Sequence, residues 1–186
     1  MLGLTNFDSD VRRAVASDSA AIARVHVDSW RTAYKGIIDE NYLASLSYVD
    51  REAMWSQAIG NARNIVLVAE DAPINVPSKT VVGFVSGGAN RAKDTSYAGE
   101  LYAIYILEEY RGKGIGKKLV RSLVQRLADL NINSMLVWVL AKNPYRQFYE
   151  RLGGLFVSSQ EIQIGGANFE EIAYGWKDLN PLMNIQ

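Results

Sequence analysis

Residues 100–120 constrain the fold more than any other stretch, because an apolar run there leads directly into closely spaced glycines and then into an amphipathic segment. The apolar run, Leu101 to Leu107, predicts a strand that is covered on both faces. After the glycines, apolar residues recur every four positions from Ile115 to Leu127, which predicts the buried face of a helix. The stretch therefore predicts a strand, a glycine-rich turn and a helix, in that order.

The glycine-rich turn is a predicted phosphate site, because the first N–H groups of a helix lack intrahelical partners and the helix dipole adds partial positive charge. Its spacing excludes two common phosphate motifs. A P-loop requires glycine where Lys117 stands, followed by Lys and Ser or Thr, and a dinucleotide fingerprint also requires its third glycine at Lys117. A tight turn without a ligand is the alternative.

The pattern Arg111-x-x-Gly114-x-Gly116 resembles the [QR]-x-x-G-x-[GA] loop of the GNAT superfamily of N-acetyltransferases, which follows an apolar strand. The resemblance implies acetyl-CoA as co-substrate. It also implies that main-chain groups of the preceding strand pair with pantetheine and polarise the thioester carbonyl. The cofactor-binding residues so implied are Ile104, Tyr105, Ile106, Arg111, Gly112, Lys113, Gly114, Ile115, Gly116 and Lys117.

A second segment, residues 143–153, resembles the GNAT pattern N-x-x-A-x-x-F-Y-x-x-x-G-F, with Arg146 in place of the small residue and Gly154 in place of the aromatic one. By resemblance, Asn143 hydrogen-bonds the pantetheine arm and Tyr149 lies near the thioester sulfur. A phenol suits that place, because it is protonated at pH 7 and can act as general acid toward the departing thiolate. The alternative is that Phe148 and Tyr149 are core aromatics.

The attacking amine needs a proton acceptor, since a primary amine is protonated at pH 7 and only its free base attacks. By resemblance, Glu100 at the start of the central strand is the predicted base, directly or through water, and a solvated strand-end carboxylate is the alternative. Glu108, Glu109 and Asp94 are weaker candidates. His26, the only histidine, is either a base or a structural residue on an apolar helix.

Three aromatic residues, Trp30, Tyr34 and Tyr42, lie where the GNAT family builds its acceptor pocket, and core packing is the alternative for each. Aromatic faces would suit a cationic amine. Residues 29–38 are similar to bacterial acetyltransferases that acetylate spermidine and spermine, so a small amine such as a polyamine is the preferred acceptor, with peptide N-termini and toxic amines left open. The functional alternative of another class is a catalytically silent CoA-binding regulatory module.

The chain as a whole predicts a mixed α/β fold. Its 186 residues suit a single N-acetyltransferase domain over residues 1–186. Within it, residues 11–64 hold the first strand and acceptor-side helices, residues 65–140 the central sheet and acetyl-CoA loop, and residues 141–186 the last helix and a hairpin. The order of elements predicts a GNAT-like, mostly antiparallel sheet of about six to seven strands with helices on both faces.

Composition narrows the partners. The formal net charge is zero and no basic patch dominates, so nucleic acid is not expected. The absence of cysteine excludes an acyl-cysteine intermediate, and with a single histidine no metal is expected. No membrane segment is expected, and residues 1–8 lack the basic and apolar regions of a signal peptide, so the predicted location is cytoplasmic. The oligomeric state is open, a homodimer included.

Overall fold

The computed structural model describes residues 10–71, 79–92 and 96–185. The strands in these ranges are β1 (Asp10–Arg13), β2 (Asn64–Asp71), β3 (Thr80–Ala89), β4 (Gly99–Ile106), β5 (Met135–Leu140), β6 (Leu155–Ile164) and β7 (Ala167–Trp176). The helices are α1 (Ser19–Ala33), α2 (Glu40–Ser45), α3 (Tyr48–Gly60), α4 (Ile115–Asp129), α5 (Gln147–Arg151) and α6 (Asn180–Met183).

One seven-stranded sheet, in the order β1-β2-β3-β4-β5-β7-β6, runs through these parts of the chain. Neighbouring strands are antiparallel except β4 and β5, which are parallel. That parallel pairing is short: it joins Gly99 to Met135, Glu100 to Leu136 and Leu101 to Val137 and then stops. Beyond Leu101 the two central strands separate, and the candidate site lies in this gap.

Helices cover both faces of the sheet. On one face, α4 and α6 pack with the largest apolar cluster, and the predicted buried stripe of α4 from Ile115 to Leu127 lies in it. On the other face, α1 and α3 pack around Phe84 and Trp55. The predicted mixed, mostly antiparallel sheet with helices on both faces is therefore confirmed.

A β-bulge lies in β4 at the point where that strand leaves β5. The β3–β4 register pairs Gly87 with Leu101 and Ser86 with Ala103, so Tyr102 is the extra residue. Because an extra residue reverses the alternation of side chains, Leu101 and Ile104 both pack on the α4 side. The bulge thereby reorients the half of β4 that borders the gap.

Several predicted boundaries were wrong. The sequence predicts a loop over residues 87–98, but β3 continues to Ala89, where it pairs with β4. The sequence also predicts Asp50 as the cap of the third helix, but α3 is capped by Ser47, whose Oγ accepts from the N–H of Asp50. Asn143 and Pro144 predict the start of a helix, but α5 begins at Gln147. A loop is predicted over residues 71–79, but Asp71 is the last residue of β2, and residues 72–78 lie outside the described residues, as do residues 1–9.

Candidate active site

A cavity of about 550 Å³ occupies the gap between β4 and β5. Most of the predicted site residues line it, namely Trp30, Tyr34, Ile104, Tyr105, Ile106, Arg111, Gly112, Gly114, Gly116, Lys117, Asn143 and Tyr149. The structure does not bring Glu100, Lys113 or Ile115 to its lining. Ile115 belongs to the buried face of α4, and the Lys113 ammonium lies 4.9 Å from the centre of the Tyr110 ring.

The cavity passes through the sheet. Phe148 and Tyr149 belong to the apolar cluster on the α4 side, whereas Trp30 belongs to a cluster on the α1 side. All three line the same cavity. Two molecules can therefore meet in the gap from opposite faces.

The glycine-rich loop forms one end of the cavity. Gly112 and Gly114 have left-handed φ angles of +75° and +80°, and α4 begins directly after Gly114. The N–H groups of Ile115 and Gly116 donate no hydrogen bond within the described part of the chain. Unpaired main-chain donors at the N-terminus of this 15-residue helix can receive an anion, and phosphate binding by the loop stays a prediction.

Arg111 fixes this loop to its surroundings. Its Nε donates to the carbonyl of Ile106 at 3.1 Å, while its terminal nitrogens donate to the Tyr145 hydroxyl at 2.7 Å and the Thr32 hydroxyl at 3.0 Å. The guanidinium also lies 4.6 Å from the centre of the Tyr145 ring. One side chain thus connects the end of β4, helix α1 and the segment before α5.

A hydrogen-bond network holds the aromatic residues of the α1 side. Trp30 Nε1 donates to the Tyr105 hydroxyl at 2.8 Å. Asn143 Nδ2 donates to the Tyr34 hydroxyl at 3.0 Å, and Asn143 Oδ1 accepts from the N–H of Tyr145 at 2.8 Å. This last bond closes a turn, which explains why α5 begins after Asn143 rather than at it.

Tyr149 presents a polar group that has no partner in the described part of the chain. Its ring stacks on Tyr174 with centroids 6.1 Å apart and meets Phe148 edge-on at 5.5 Å. Its hydroxyl makes no hydrogen bond to the described residues, and the side chain lines the cavity. Burial, with a smaller contribution from Tyr34, raises the pKa of Tyr149, so the phenol is protonated at neutral pH and can donate a proton.

Glu100 lies at the start of β4 but away from the cavity. The residue is only 3% exposed, and its carboxylate accepts hydrogen bonds from the Arg91 main-chain N–H at 3.0 Å and from Arg91 Nε at 3.2 Å. This ion pair favours a structural role, and the assignment of Glu100 as base stays a prediction. Glu108 and Glu109 are exposed and do not line the cavity. Asp94 lies outside the described residues.

His26 is built into the core between α1 and α3. It is 8% exposed, its Nδ1 accepts from Trp55 Nε1 at 3.1 Å, and its ring stacks on Tyr105 at 5.1 Å. Burial lowers the pKa of His26 to about 3. The histidine does not line the cavity. Tyr42 also lies elsewhere, against the turn between β6 and β7 at Gly165.

The sequence did not predict Glu171, which is the one carboxylate among the described residues that line the cavity. Glu171 lies on β7 opposite Leu140 of β5 and is partly buried. Its Oε1 accepts from Gln160 Nε2 at 2.7 Å. No local motif marks this residue. The alternation of side chains along β7, with Ile172 in the α4-side cluster, is the only signal that would have placed Glu171 on the other face.

Comparisons with known proteins agree with this geometry. The family described as FR47-like protein matches residues 81–161. The uncharacterized N-acetyltransferase YuaI of Bacillus subtilis is 38% identical over 175 residues, which cover 94% of this chain and 96% of that protein. The L-amino acid N-acyltransferase MnaT of Escherichia coli is 25% identical over 155 residues, or 83% and 84% of the two chains.

A solved structure shows the same fold. The PaiA N-acetyltransferase of Thermoplasma acidophilum, in complex with coenzyme A, superposes with a TM-score of 0.66 at 20% identity and covers 89% of this chain and 98% of its own. The class that fold and relatives define is the N-acetyltransferases. The chain belongs to the GNAT family of these enzymes, which use acetyl-CoA as acyl donor.

Among the described residues, no helix is both long and apolar enough to cross a membrane. Within the same residues, no group of three or more His, Cys, Asp or Glu side chains is arranged to hold a metal ion.

Proposed function

We propose that this enzyme transfers the acetyl group of acetyl-CoA directly to a primary amine of a small cationic molecule, with polyamines as the first class to test. The observation that carries the proposal is that one continuous cavity in the β4–β5 gap is lined by the glycine-rich loop, by Tyr149 and by the aromatic residues of α1. Each of these parts supplies a function that the transfer needs.

The donor side is built from main-chain groups. The loop from Arg111 to Lys117 receives the pyrophosphate through N–H donors at the start of α4. From Tyr102 to Ile106, the edge of β4 that faces β5 pairs with no strand among residues 10–71, 79–92 and 96–185. An extended pantetheine arm pairs with that edge as an added strand would, and an N–H there polarises the thioester carbonyl. Asn143, held by its turn, contacts the same arm.

Protons and electron pairs are conserved in the proposed transfer. The incoming ammonium loses one proton, and the free amine forms the N–C bond as the carbonyl electrons move onto oxygen. When the C–S bond breaks, sulfur keeps the electron pair and takes the proton of Tyr149. The second proton of the attacking nitrogen returns to the tyrosinate, directly or through water. The products are the acetamide, CoA and one released proton, and no acyl-enzyme forms.

The test of this function is Tyr149→Phe, with Tyr174→Phe as matched control. Both variants delete a hydroxyl from adjacent stacked rings, but the Tyr174 hydroxyl bonds Glu150 and Arg146 outside the cavity. Tyr149→Phe is expected to lower kcat by roughly 10²- to 10⁴-fold with CoA affinity unchanged, because the variant loses only the proton donor. Tyr174→Phe is expected to keep wild-type kcat.

The readout is CoA release, measured with a thiol reagent and a panel of amines. An acyl donor whose thiol has a lower pKa is expected to recover part of the lost rate in Tyr149→Phe, since that thiolate departs with less help. If Tyr149→Phe keeps the wild-type kcat under conditions where chemistry limits the rate, Tyr149 contributes packing only and is not the proton donor. A wild-type protein that binds CoA but releases none with any amine would support the silent CoA-binding module instead.

A further inference from the structure

We propose that Glu171 binds a second, non-reacting positive charge of the acceptor, so that the enzyme selects diamines and polyamines over amino acids. This inference rests on the proposed function, because it assigns the substrate class of the same cavity. Glu171 lines the cavity on the acceptor side, whereas Glu100 forms an ion pair with Arg91 outside the cavity.

The charges that line the cavity are distributed unevenly. The cationic lining residues, Arg111, Lys117 and Arg151, come from the glycine-rich loop and α5. The carboxylate of Glu171 comes from β7, and other lining residues from the hairpin that it belongs to are the apolar Ile162 and Ile164. An acceptor in this region meets negative charge, which favours a cation and disfavours a free carboxylate.

The carboxylate of Glu171 is also available to a ligand. Its one hydrogen bond among the described residues comes from Gln160, and a carboxylate has room for several donors. The aromatic rings of Trp30, Tyr34 and Trp138 line the same cavity. Ring faces attract organic cations, so the aliphatic and charged parts of a polyamine both find suitable partners there.

Glu171 and Tyr149 line the cavity from opposite faces of the sheet. Ile172, the next residue of β7, packs in the α4-side cluster with Tyr149, so the alternation of side chains places Glu171 on the α1 side, where Trp30 and Tyr34 lie. An acceptor that enters from the α1 side and reacts beside Tyr149 therefore has Glu171 on its own side of the sheet, where a second nitrogen of the same molecule would lie.

The test compares Glu171→Gln with Glu170→Gln on two acceptors of equal length, butane-1,4-diamine and butylamine. Gln keeps the size of the side chain and removes the charge. Glu170 is the neighbouring residue on β7, is exposed, and does not line the cavity, so its variant controls for lost charge alone. The readouts are kcat and KM for each amine and the dissociation constant of CoA.

Glu171→Gln is expected to lower kcat/KM for the diamine roughly 10- to 100-fold, mostly through KM, since a charge-assisted hydrogen bond is lost. For butylamine, Glu171→Gln is expected to change kcat/KM by at most about threefold. Glu170→Gln is expected to change kcat/KM by at most about threefold for both amines. CoA affinity is expected to stay at the wild-type value.

Three outcomes would overturn the assignment: an unchanged diamine kcat/KM in Glu171→Gln, equal losses for both amines, or a wild-type preference for butylamine or an L-amino acid over diamines. These results are distinct from failure of the proposed function. That failure is a wild-type enzyme that binds CoA but acetylates no amine, whereas full kcat in Tyr149→Phe removes only the acid role of Tyr149. An enzyme active on monoamines whose Glu171→Gln variant behaves as wild type contradicts the role of Glu171 alone.

Discussion

Gly114→Val tests the glycine-rich loop, and the chain supplies a matched control in Gly36→Val. Gly114 and Gly36 have nearly the same left-handed backbone, with φ of +80° and +74°. A Cβ added at either position meets no heavy atom within 4 Å. The two substitutions therefore introduce similar backbone strain, with no steric clash at Cβ. They differ in position, because Gly114 lines the cavity and Gly36 lies in the turn after α1.

The magnitudes follow from these conformations. A side chain in the left-handed region costs about 1–2 kcal/mol, and in a chain of this size each kcal/mol shifts Tm by roughly 2–4 °C. Both variants are expected to unfold about 2–8 °C below wild type. A ligand present at 100 times its Kd contributes about 2.7 kcal/mol to stability, which raises Tm by roughly 5–11 °C. Gly36→Val should keep this CoA-induced increase.

Gly114→Val is expected to bind CoA at least about tenfold more weakly, because its isopropyl group occupies space that the phosphate needs near the main-chain donors. At the same CoA concentration, its CoA-induced increase in Tm should be about half the wild-type value or less. Calorimetric titration and thermal unfolding measure both effects. If the two glycine variants bind CoA equally well, the loop does not bind it through close backbone approach.

Two further predictions concern residues that the structure places outside the cavity. Glu100→Gln is expected to lower the free energy of unfolding by about 1–3 kcal/mol, since Arg91 loses its charged partner. Its kcat is expected to change much less than that of Tyr149→Phe. A loss of kcat as large as that of Tyr149→Phe would instead identify Glu100 as the base. His26 has a pKa of about 3 in the folded protein against about 6.5 when unfolded, so the unfolded chain binds the proton first and stability falls as pH drops below about 6.5. Urea unfolding at pH 7 and pH 4.5 measures the free energy of unfolding of wild type and of His26→Gln. Between these two pH values, wild type is expected to lose roughly 2–3 kcal/mol more of this free energy than the variant, and equal losses would contradict a buried neutral histidine.

Local sequence patterns predicted the elements whose residues interact with near neighbours in the chain. The apolar run 135–140 predicts a strand, and β5 has those bounds, Met135–Leu140; the adjacent glycines Gly165 and Gly166 predict the turn of the last hairpin, and both have positive φ there. The buried stripe of α4 follows from its four-residue repeat. In each case the signal comes from periodicity or from a backbone conformation that glycine adopts easily.

Contacts between distant segments explain what the sequence did not predict. Glu100 lies at the start of β4 as expected. Its ion pair with Arg91 depends on the path that the chain takes after β3, beyond the last pair of β3 with β4. Glu171 reaches the cavity because β7 lies between β5 and β6, an order that no motif records. Asn143 closes a turn onto Tyr145 instead of capping a helix at Pro144. These placements are set by strand order and tertiary hydrogen bonds rather than by local propensity.

The gap between β4 and β5 is held open by the protein itself. The bulge at Tyr102 turns β4 just beyond its last pair with β5, and the two strands then have different anchors. The end of β4 is fixed by Ser29 and Arg111, which both donate to the carbonyl of Ile106, while β5 continues in register with β7. Because these bonds involve only protein atoms, the edge of β4 does not have to break strand pairs to receive the donor. If the donor binds along this edge as we propose, its binding includes no cost of opening a sheet, and more of the interaction free energy is available for holding the thioester beside Tyr149.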